Sequence, residues 1–392
     1  MKNNYDSNAS RRAFLRKTSA VGLGATILPF LLPGCTEDTP SEATVTTLRM
    51  YATGTLDAPT AWARLKSDLN IDLRFEDSGN ETGPIVTAMT NGSAAREYDL
   101  GGLQGGVEPE LAAAGAILPW DLSQVPNYQS IWSWIKDIPH TQHEGKTYGL
   151  PIVVNADSMI YLPEFTGEID SYAAVFDPAL KGRTSMEDSW INSVIFTAIF
   201  LKESGEQSID NPGDLAEEEL TGVMEFLIRK KEDGQFKTFW QGWEQGVKLV
   251  SSKEVVCMTG WEPIVKAAQE AGVDARYATP KEGYEGWSND LVLHRGAETR
   301  GVVEAAHQFA NWQLSGLYGA TLAKERGYVV PNEAAVEFAQ SANSGFEADE
   351  QRAIVNHVRE KFQNPASKVY WQNVRPKNYK LYEDWWARLR NI

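Results

Sequence analysis

The sequence predicts an α/β protein built as two lobes. At 392 residues the chain is longer than the roughly 250 to 300 residues at which a single core stops growing. Strand-like segments alternate with amphipathic helical segments, a pattern typical of a parallel sheet covered by helices. A β-rich run at 145–162 is long enough to cross from one lobe to the other. Such sheets place ligands outside the carboxyl ends of their strands.

The first lobe begins with a regular alternation of strands and helices. TLRMYA (47–52) predicts a strand, APTAWARLKSDL (58–69) a helix and IDLRFE (71–76) a second strand. PIVTAMTNG then predicts a helix, and YDLGGL predicts the third strand. This order predicts parallel pairing among the three strands.

The second lobe opens at FDPALKGRTSMEDS and continues with helical patterns at 189–204 and 215–231. The buried strand VVCM then leads to Trp261, and Pro263 suits the first turn of the helix that follows. Trp261 is therefore expected at the carboxyl end of a strand, where it serves either as a ligand wall or as packing between lobes. A further strand, YEGWSNDLVLH, carries Trp287, and a helix over 298–315 follows it.

The first 46 residues predict export and lipid attachment rather than folded structure. SRRAFLRK (10–17) followed by an apolar run resembles a twin-arginine signal, and the closing LPGC resembles a bacterial lipobox. We expect residues 1–34 to be a signal peptide and 35–46 to be a lipidated Cys35 with its tether. The protein would then be periplasmic or at the cell surface. A spanning anchor is the alternative, although prolines interrupt a stretch shorter than the roughly 20 residues a spanning helix needs.

Charge and cysteine content narrow the possible partners. Residues 1–34 hold five Lys/Arg and one Asp, so the rest of the chain has 32 basic and 52 acidic residues and a net charge of −20. This charge argues against nucleic acid and permits a cationic ligand. The cysteines are Cys35 and Cys257, so acylation of Cys35 leaves no disulfide, and Cys257 is expected to be buried.

The sequence carries no pattern of a known catalytic centre. GxSxG, HExxH and phosphate-loop motifs are absent, and the five histidines are scattered. His140 and His143 stand near metal spacing, but their Gly/Pro-flanked segment has no neighbouring cysteine and is expected to be a surface loop. We expect neither an enzyme, nor a cofactor, nor a metal site.

Several short motifs together resemble one family, the substrate-binding proteins of ABC importers, and most closely the spermidine/putrescine-binding type. In chain order the motifs are DLxxL, YGLP, FDPALKGR, KEVVCMTGW, PKEGYEGWSNDLVL and RGYVVPN. The resemblance implies a two-lobed periplasmic-binding-protein fold of type II with hinge-crossing strands. It implies lobe 1 at 47–153 plus 288–330 and lobe 2 at 154–287 plus 331–392. It also implies a monomer that works with an ABC permease and ATPase.

The resemblance also implies a site in which aromatic rings wall a polyamine chain and carboxylates meet its ammonium groups. Trp261, Trp287 and Tyr328 match wall positions, Asp188 matches an ammonium-binding carboxylate, and Gln372 matches a polar contact. Asn289 stands where the family has a carboxylate two residues after its second tryptophan.

The chain also departs from the family pattern, and these departures bear on the ligand. Ile191 and Asn289 replace two family carboxylates, and Asp290 is expected on the opposite face of its strand. An unpaired buried ammonium costs several kcal/mol, so we expect a solute with one cationic nitrogen on Asp188. Otherwise Glu187, Glu262 or Asp290 supplies the missing charge.

Two alternatives stay open. The ligand is a small amine or polyamine-like solute, or else a different solute of related importers, such as thiamine, an aminophosphonate or ferric iron. The chain serves an importer, or else a lipoprotein of the same fold acts as a sensor or scaffold without a transporter.

Overall fold

Two long antiparallel strands run through the centre of the protein. The computed structural model describes residues 45–79, 82–91, 97–136, 138–360 and 368–392. Its central strands are Gly149–Tyr161 and Tyr284–His294, paired along most of their length. The predicted signal peptide and Cys35 lie outside the described residues. In the described part of the chain, no helix combines the length and the apolar character needed to cross a membrane.

Eleven of the described strands form one sheet, and the two short strands β5 and β6 pair with each other. The strands are β1 Thr46–Ala52, β2 Ile71–Asp77, β3 Leu100–Gln104, β4 Ile117–Leu118, β5 Gln142–His143, β6 Lys146–Thr147, β7 Gly149–Tyr161, β8 Thr184–Glu187, β9 Phe236–Trp240, β10 Cys257–Gly260, β11 Arg276–Tyr277, β12 Tyr284–His294 and β13 Val369–Trp371. The order along the sheet is β2-β1-β3-β12-β7-β10-β8-β9, with β4 and β13 on β12 and β11 on β7.

Helices cover this sheet. The longer ones are Pro59–Leu69, Thr82–Thr90, Trp190–Glu203, Glu217–Glu232, Gly242–Ser251, Glu262–Glu270, Val303–Gln313, Leu317–Arg326, Ala334–Gln340, Ala348–Glu360 and Tyr379–Arg390. The shorter ones are Glu108–Ala113, Ser133–Lys136, Pro163–Thr166 and Gly296–Arg300. Single 3₁₀ turns include Pro139–Thr141 and Tyr172–Phe176.

The predicted parallel pairing of the first three strands is confirmed, and the centre of the sheet is antiparallel. β1 pairs in parallel with β2 and β3, and β8 pairs in parallel with β9 and β10. β7 and β12 pair antiparallel with each other. β7 also pairs antiparallel with β10, and β12 pairs antiparallel with β3. Both central strands are long enough to belong to both halves of the sheet, so the predicted crossing segment is confirmed.

Separate hydrophobic cores lie on the two sides of the crossing strands. One joins residues within 48–154 to residues within 291–330, and includes Phe309 and Tyr318. Another joins residues within 159–278 to the C-terminal helix through Trp386. Cys257 is buried in that second core, as expected, and burial raises the pKa of its thiol to about 12.

The helices Ala334–Gln340 and Ala348–Glu360 pack on the helix Leu317–Arg326 in a smaller cluster of their own. They therefore associate with the first group of residues rather than with the second.

The expected surface loop at His140 is wrong. His140 is 5% exposed and belongs to the 3₁₀ turn Pro139–Thr141. Gly105 makes room for the ring, because a Cβ at that position would lie 2.1 Å from His140 Nε2. The GGLQGG segment thus supplies space that a side chain would fill.

Candidate functional site

The crossing strands place polar side chains together near their middle. Glu285 of β12 lies opposite Asp157 of β7, and Trp287 lies opposite Asn155. Side chains two residues apart share a face of a strand, so all four lie on one face of the strand pair. We call this the cleft face. Asn289, at one of the predicted site positions, follows on the same side.

Three carboxylates meet at the cleft face and at the end of β8. Burial raises the pKa of Glu285 well above its usual value, and the charges of Asp157 and Glu187 raise it further. Burial likewise raises the pKa of Glu187 to about 7, against the lowering effect of a hydrogen bond from Asn192 and with further rises from Asp157 and Asp188. We call Asp157, Glu187 and Glu285 the acidic cluster.

Each carboxylate of the acidic cluster has an amide or indole partner. Trp287 Nε1 donates to Asp157 Oδ2 at 2.9 Å, and Asn155 Nδ2 reaches Asp157 Oδ1 at 3.3 Å. Gln372 Nε2 donates to Glu285 Oε1 at 2.9 Å. Glu285 Oε2 is buried and receives no hydrogen bond from a described residue. These bonds orient the oxygens and leave acceptor capacity for a cation.

Gln372 also links two parts of the cluster. Its Nε2 contacts Asn192 Oδ1, and Asn192 in turn donates to Glu187. The predicted polar role of Gln372 therefore falls beside carboxylates that lie far from it in sequence. Gln372 follows β13, which pairs with β12 at Glu285.

Two aromatic rings predicted as walls are in contact with each other. Trp287 and Tyr328 meet edge to face with ring centroids 5.7 Å apart, and both are half-buried. A backbone hydrogen bond holds the Tyr328 segment beside β7. The N–H of Val154 donates to the carbonyl of Val329, the residue after Tyr328, at 3.0 Å. Burial, followed by the charge of Asp157, raises the pKa of Tyr328.

Trp261 stands at the end of β10, as expected, and is the N-cap residue of the helix Glu262–Glu270. The preceding Gly260 pairs with Ser158, the neighbour of Asp157 on the crossing strand. The half-buried indole packs edge to face on the fully buried Trp240 at 5.0 Å. The ring therefore has one aromatic partner in Trp240, and the residue before it lies opposite the chain neighbour of Asp157.

Asp188 has a different environment from the other predicted site residues. Its Oδ1 accepts from Trp386 Nε1 at 2.9 Å and from Arg390 Nε at 2.7 Å, and its Oδ2 accepts from Gln241 Nε2 at 2.5 Å. Burial acts to raise its pKa, but these three bonds outweigh burial and the pKa is lowered. Its carboxylate is thus held by the C-terminal helix.

Asn289 and Asp290 turn to opposite faces of β12. Asn289 Oδ1 accepts from Thr53 Oγ1 at 3.1 Å, at the end of β1. Asp290 is fully buried and accepts from Ser288 at 3.0 Å. Asp290 therefore lies away from the acidic cluster, as expected from strand alternation.

Sequence reasoning named Glu187 only as a substitute and missed Asp157 and Glu285. The sequence does contain a signal for Asp157. The strand-like run at 149–161 is apolar except for Asn155, Asp157 and Ser158. A carboxylate in a strand buried on both faces calls for a partner or a function. The pairing of Asp157 with Glu285 depends on register, which the sequence does not state.

The family model for bacterial extracellular solute-binding proteins matches residues 61–353. The match spans more than half of the chain, and the chain therefore belongs to this family. Proteins of this family are solute-binding components of transporters rather than enzymes, and this chain is accordingly a substrate-binding component for a small solute.

Solved structures of the same fold include a spermidine/putrescine substrate-binding protein and a lipoprotein named TpPotD. The substrate-binding protein PotD of Streptococcus pneumoniae is 13% identical, with a TM-score of 0.67, over 88% of this chain and 99% of that one. The Tp0655 (TpPotD) lipoprotein of Treponema pallidum is 16% identical, with a TM-score of 0.65, over 88% of this chain and 100% of that one.

The same fold also serves a different ligand. The binding protein MotA of A. tumefaciens, solved with glucopine, is 17% identical with a TM-score of 0.61, over 88% of this chain and 100% of that one. The predicted two-lobed fold with crossing strands is confirmed by these likenesses.

Proposed function

We propose that the protein captures a small amine or polyamine-like solute on the cleft face and delivers it to an ABC importer. The observation that carries this proposal is the acidic cluster beside two half-buried aromatic rings. Burial and the charges of neighbouring carboxylates raise the pKa of Glu187 and of Glu285, and an entering cation would favour their charged forms. A protonated amine supplies that charge and also gains from the ring faces.

The acidic cluster changes the expected number of cationic nitrogens. The expectation of one nitrogen rested on Asp188, which instead pairs with Arg390. Asp157, Glu187 and Glu285 offer more than one anion, so a diamine or triamine meets the paired carboxylates it requires. We therefore propose Asp157, Glu187 and Glu285 as ammonium ligands, Trp287, Tyr328 and Trp261 as walls, and Gln372 and Asn289 as polar neighbours.

The proposal includes a division into lobes that close on the solute. Lobe 1 comprises 47–153 and 288–330, and lobe 2 comprises 154–287 and 331–392, with one refinement. The helices Ala334–Gln340 and Ala348–Glu360 go with the first lobe because they pack on Leu317–Arg326. The crossing strands then form the hinge, and Asp157 and Glu285 of the acidic cluster lie on them.

Export by the twin-arginine pathway and lipid attachment at Cys35 complete the proposed function. They rest on the SRRAFLRK and LPGC segments. Lipid attachment would hold the binding protein close to a membrane-embedded permease. An exported location is consistent with the description of the family as extracellular. A sensor without a transporter would use the same site. Adjacent permease and ATPase genes would favour the importer, and their absence would favour the sensor.

Mass spectrometry of solute released from the purified protein tests the proposal directly. We expect an amine at about one equivalent, and its loss from Asp157→Asn protein prepared in the same way. An anionic or neutral solute at full occupancy in both proteins would refute the amine assignment while leaving the family assignment intact.

A further inference from the structure

The face of β12 turned away from the acidic cluster carries a second group of buried polar side chains. The Ser288 hydroxyl donates to Asp290 Oδ2 at 3.0 Å. His140 Nε2 lies 3.1 Å from Ser288 Oγ and 3.2 Å from Asp290 Oδ2. Glu108 joins them, and one ligand atom from each of Glu108, His140 and Asp290 lies within 4.8 Å of the other two.

Two carboxylate oxygens in this group receive no hydrogen bond within the part of the chain that the structure describes. Glu108 Oε2 accepts from the Gly106 N–H at 2.8 Å, but neither Glu108 Oε1 nor Asp290 Oδ1 receives a hydrogen bond from a described residue. Both residues are fully buried. Buried carboxylates are ordinarily paired or coordinate a metal, because an uncompensated buried charge costs several kcal/mol.

We propose that Glu108, His140 and Asp290 bind a divalent transition-metal ion, with zinc as the ion this donor set favours. Two carboxylates balance the charge of the ion, and imidazole with carboxylate oxygen is a common zinc donor set. Donors around a tetrahedral zinc lie about 3.4 Å apart, close to the 3.2 Å between His140 Nε2 and Asp290 Oδ2. Calcium and magnesium require about six or more oxygen donors.

The fourth position has a candidate, and the site has an approach from solvent. Ser288 Oγ contacts both His140 and Asp290, so it or a water completes the coordination. His140 lines a cavity of about 360 Å³ together with Trp371 and Asn373.

The metal would join three segments that are distant in sequence. Glu108 begins a short helix, His140 lies in a 3₁₀ turn, and Asp290 lies on β12 where its register with β7 shifts after Asn289. Bound zinc would hold this irregular point of β12 in place from the face opposite the acidic cluster. The inference is independent of the proposed solute, since it uses none of the residues of the acidic cluster.

Zinc titration of the protein, purified without a histidine tag and stripped with EDTA, tests the inference. We expect one equivalent to bind, with a rise in melting temperature of several degrees when zinc is in large excess over its Kd. Cobalt substitution should give the visible absorption of a tetrahedral site. Calcium at the same concentration should produce neither effect.

Isosteric variants connect the ion to these residues. Asp290→Asn and Glu108→Gln should each raise the Kd for zinc at least tenfold. Glu282→Gln is the matched control, because Glu282 is also buried and accepts a hydrogen bond from Ser171 elsewhere in the fold. The absence of stoichiometric zinc binding by wild type, or equal binding by wild type and both site variants, would overturn the proposal and leave a proton shared between the carboxylates.

Discussion

Trp287 donates its indole N–H to Asp157 across the two crossing strands, at 2.9 Å from Nε1 to Oδ2. The bond connects a predicted wall residue to a carboxylate that sequence reasoning missed. It fixes both the ring and the carboxylate, so the proposed cationic solute would meet groups that are already oriented. Preorganisation of this kind lowers the entropy lost on binding.

Asp157→Asn should lower the affinity for the amine at least tenfold. The substitution keeps the shape and can still contact Trp287, but it removes a charge that faces an ammonium group. Breaking a buried pair costs about 3 to 5 kcal/mol in comparable cases. Isothermal titration calorimetry with the identified amine measures the change.

Asp188→Asn is the matched control for that variant. Its carboxylate serves Arg390 and Trp386, so we expect a lower melting temperature with affinity within about twofold of wild type. Stronger loss of affinity in Asp188→Asn than in Asp157→Asn would return the ammonium role to Asp188.

Trp287→Ala and Trp261→Ala should both weaken amine binding, and Trp287→Ala more strongly. Loss of a ring wall costs about 1 to 3 kcal/mol. Trp287 also orients Asp157, whereas Trp261 has one side on Trp240. Thermal melting checks that both variants fold. Unchanged affinity in Trp261→Ala would assign that ring to packing.

Glu187 should make stability depend on pH. Burial, with Asp157 and Asp188 adding to the rise, lifts its pKa from 4.5 to about 7. A folded state that binds the proton more tightly is favoured at low pH, so this contribution is complete below about pH 4.5 and is lost as pH rises to about 7. The free energy of unfolding of wild type minus that of Glu187→Gln should fall by about 3 kcal/mol across that window.

Urea unfolding of both ligand-free proteins at several pH values measures this difference. Subtracting the variant removes the contribution of carboxylates elsewhere. A difference that stays constant with pH would mean that Glu187 ionises normally. With a bound amine the dependence should weaken, because the cation stabilises the charged form.

Cys35→Ser should release the exported protein from the membrane fraction. The LPGC segment offers the thiol for acylation, and acyl chains anchor through about 0.8 kcal/mol per buried methylene. Cell fractionation with immunoblotting measures the distribution. Membrane association equal to wild type would refute the lipobox prediction.

Local sequence patterns predict most of the strands and helices of the fold. The strand at 47–52, the helix at 58–69 and the crossing segment at 145–162 correspond to Thr46–Ala52, Pro59–Leu69 and Gly149–Tyr161. Each is set by short-range periodicity and by turn residues, which a single sequence displays.

The candidate site was less accessible to sequence reasoning because it depends on long-range register. Asp157 and Glu285 are far apart along the chain and meet only because β7 and β12 pair at those residues. Asp188 and Glu187 are neighbours in sequence, yet one pairs with the C-terminal helix and the other joins the acidic cluster. The burial of His140 does not follow from the sequence, because the gap left by Gly105 exists only in the folded chain.

Calorimetric titration of the purified protein with putrescine, spermidine, single-amine solutes and matched carboxylate solutes tests the central claim most directly. The proposed site predicts binding of at least one amine at micromolar or tighter Kd, weaker binding at pH 5 than at pH 8, and no binding of the carboxylates. Tight binding of a carboxylate solute with no response to any amine would contradict an anionic site for a cationic solute.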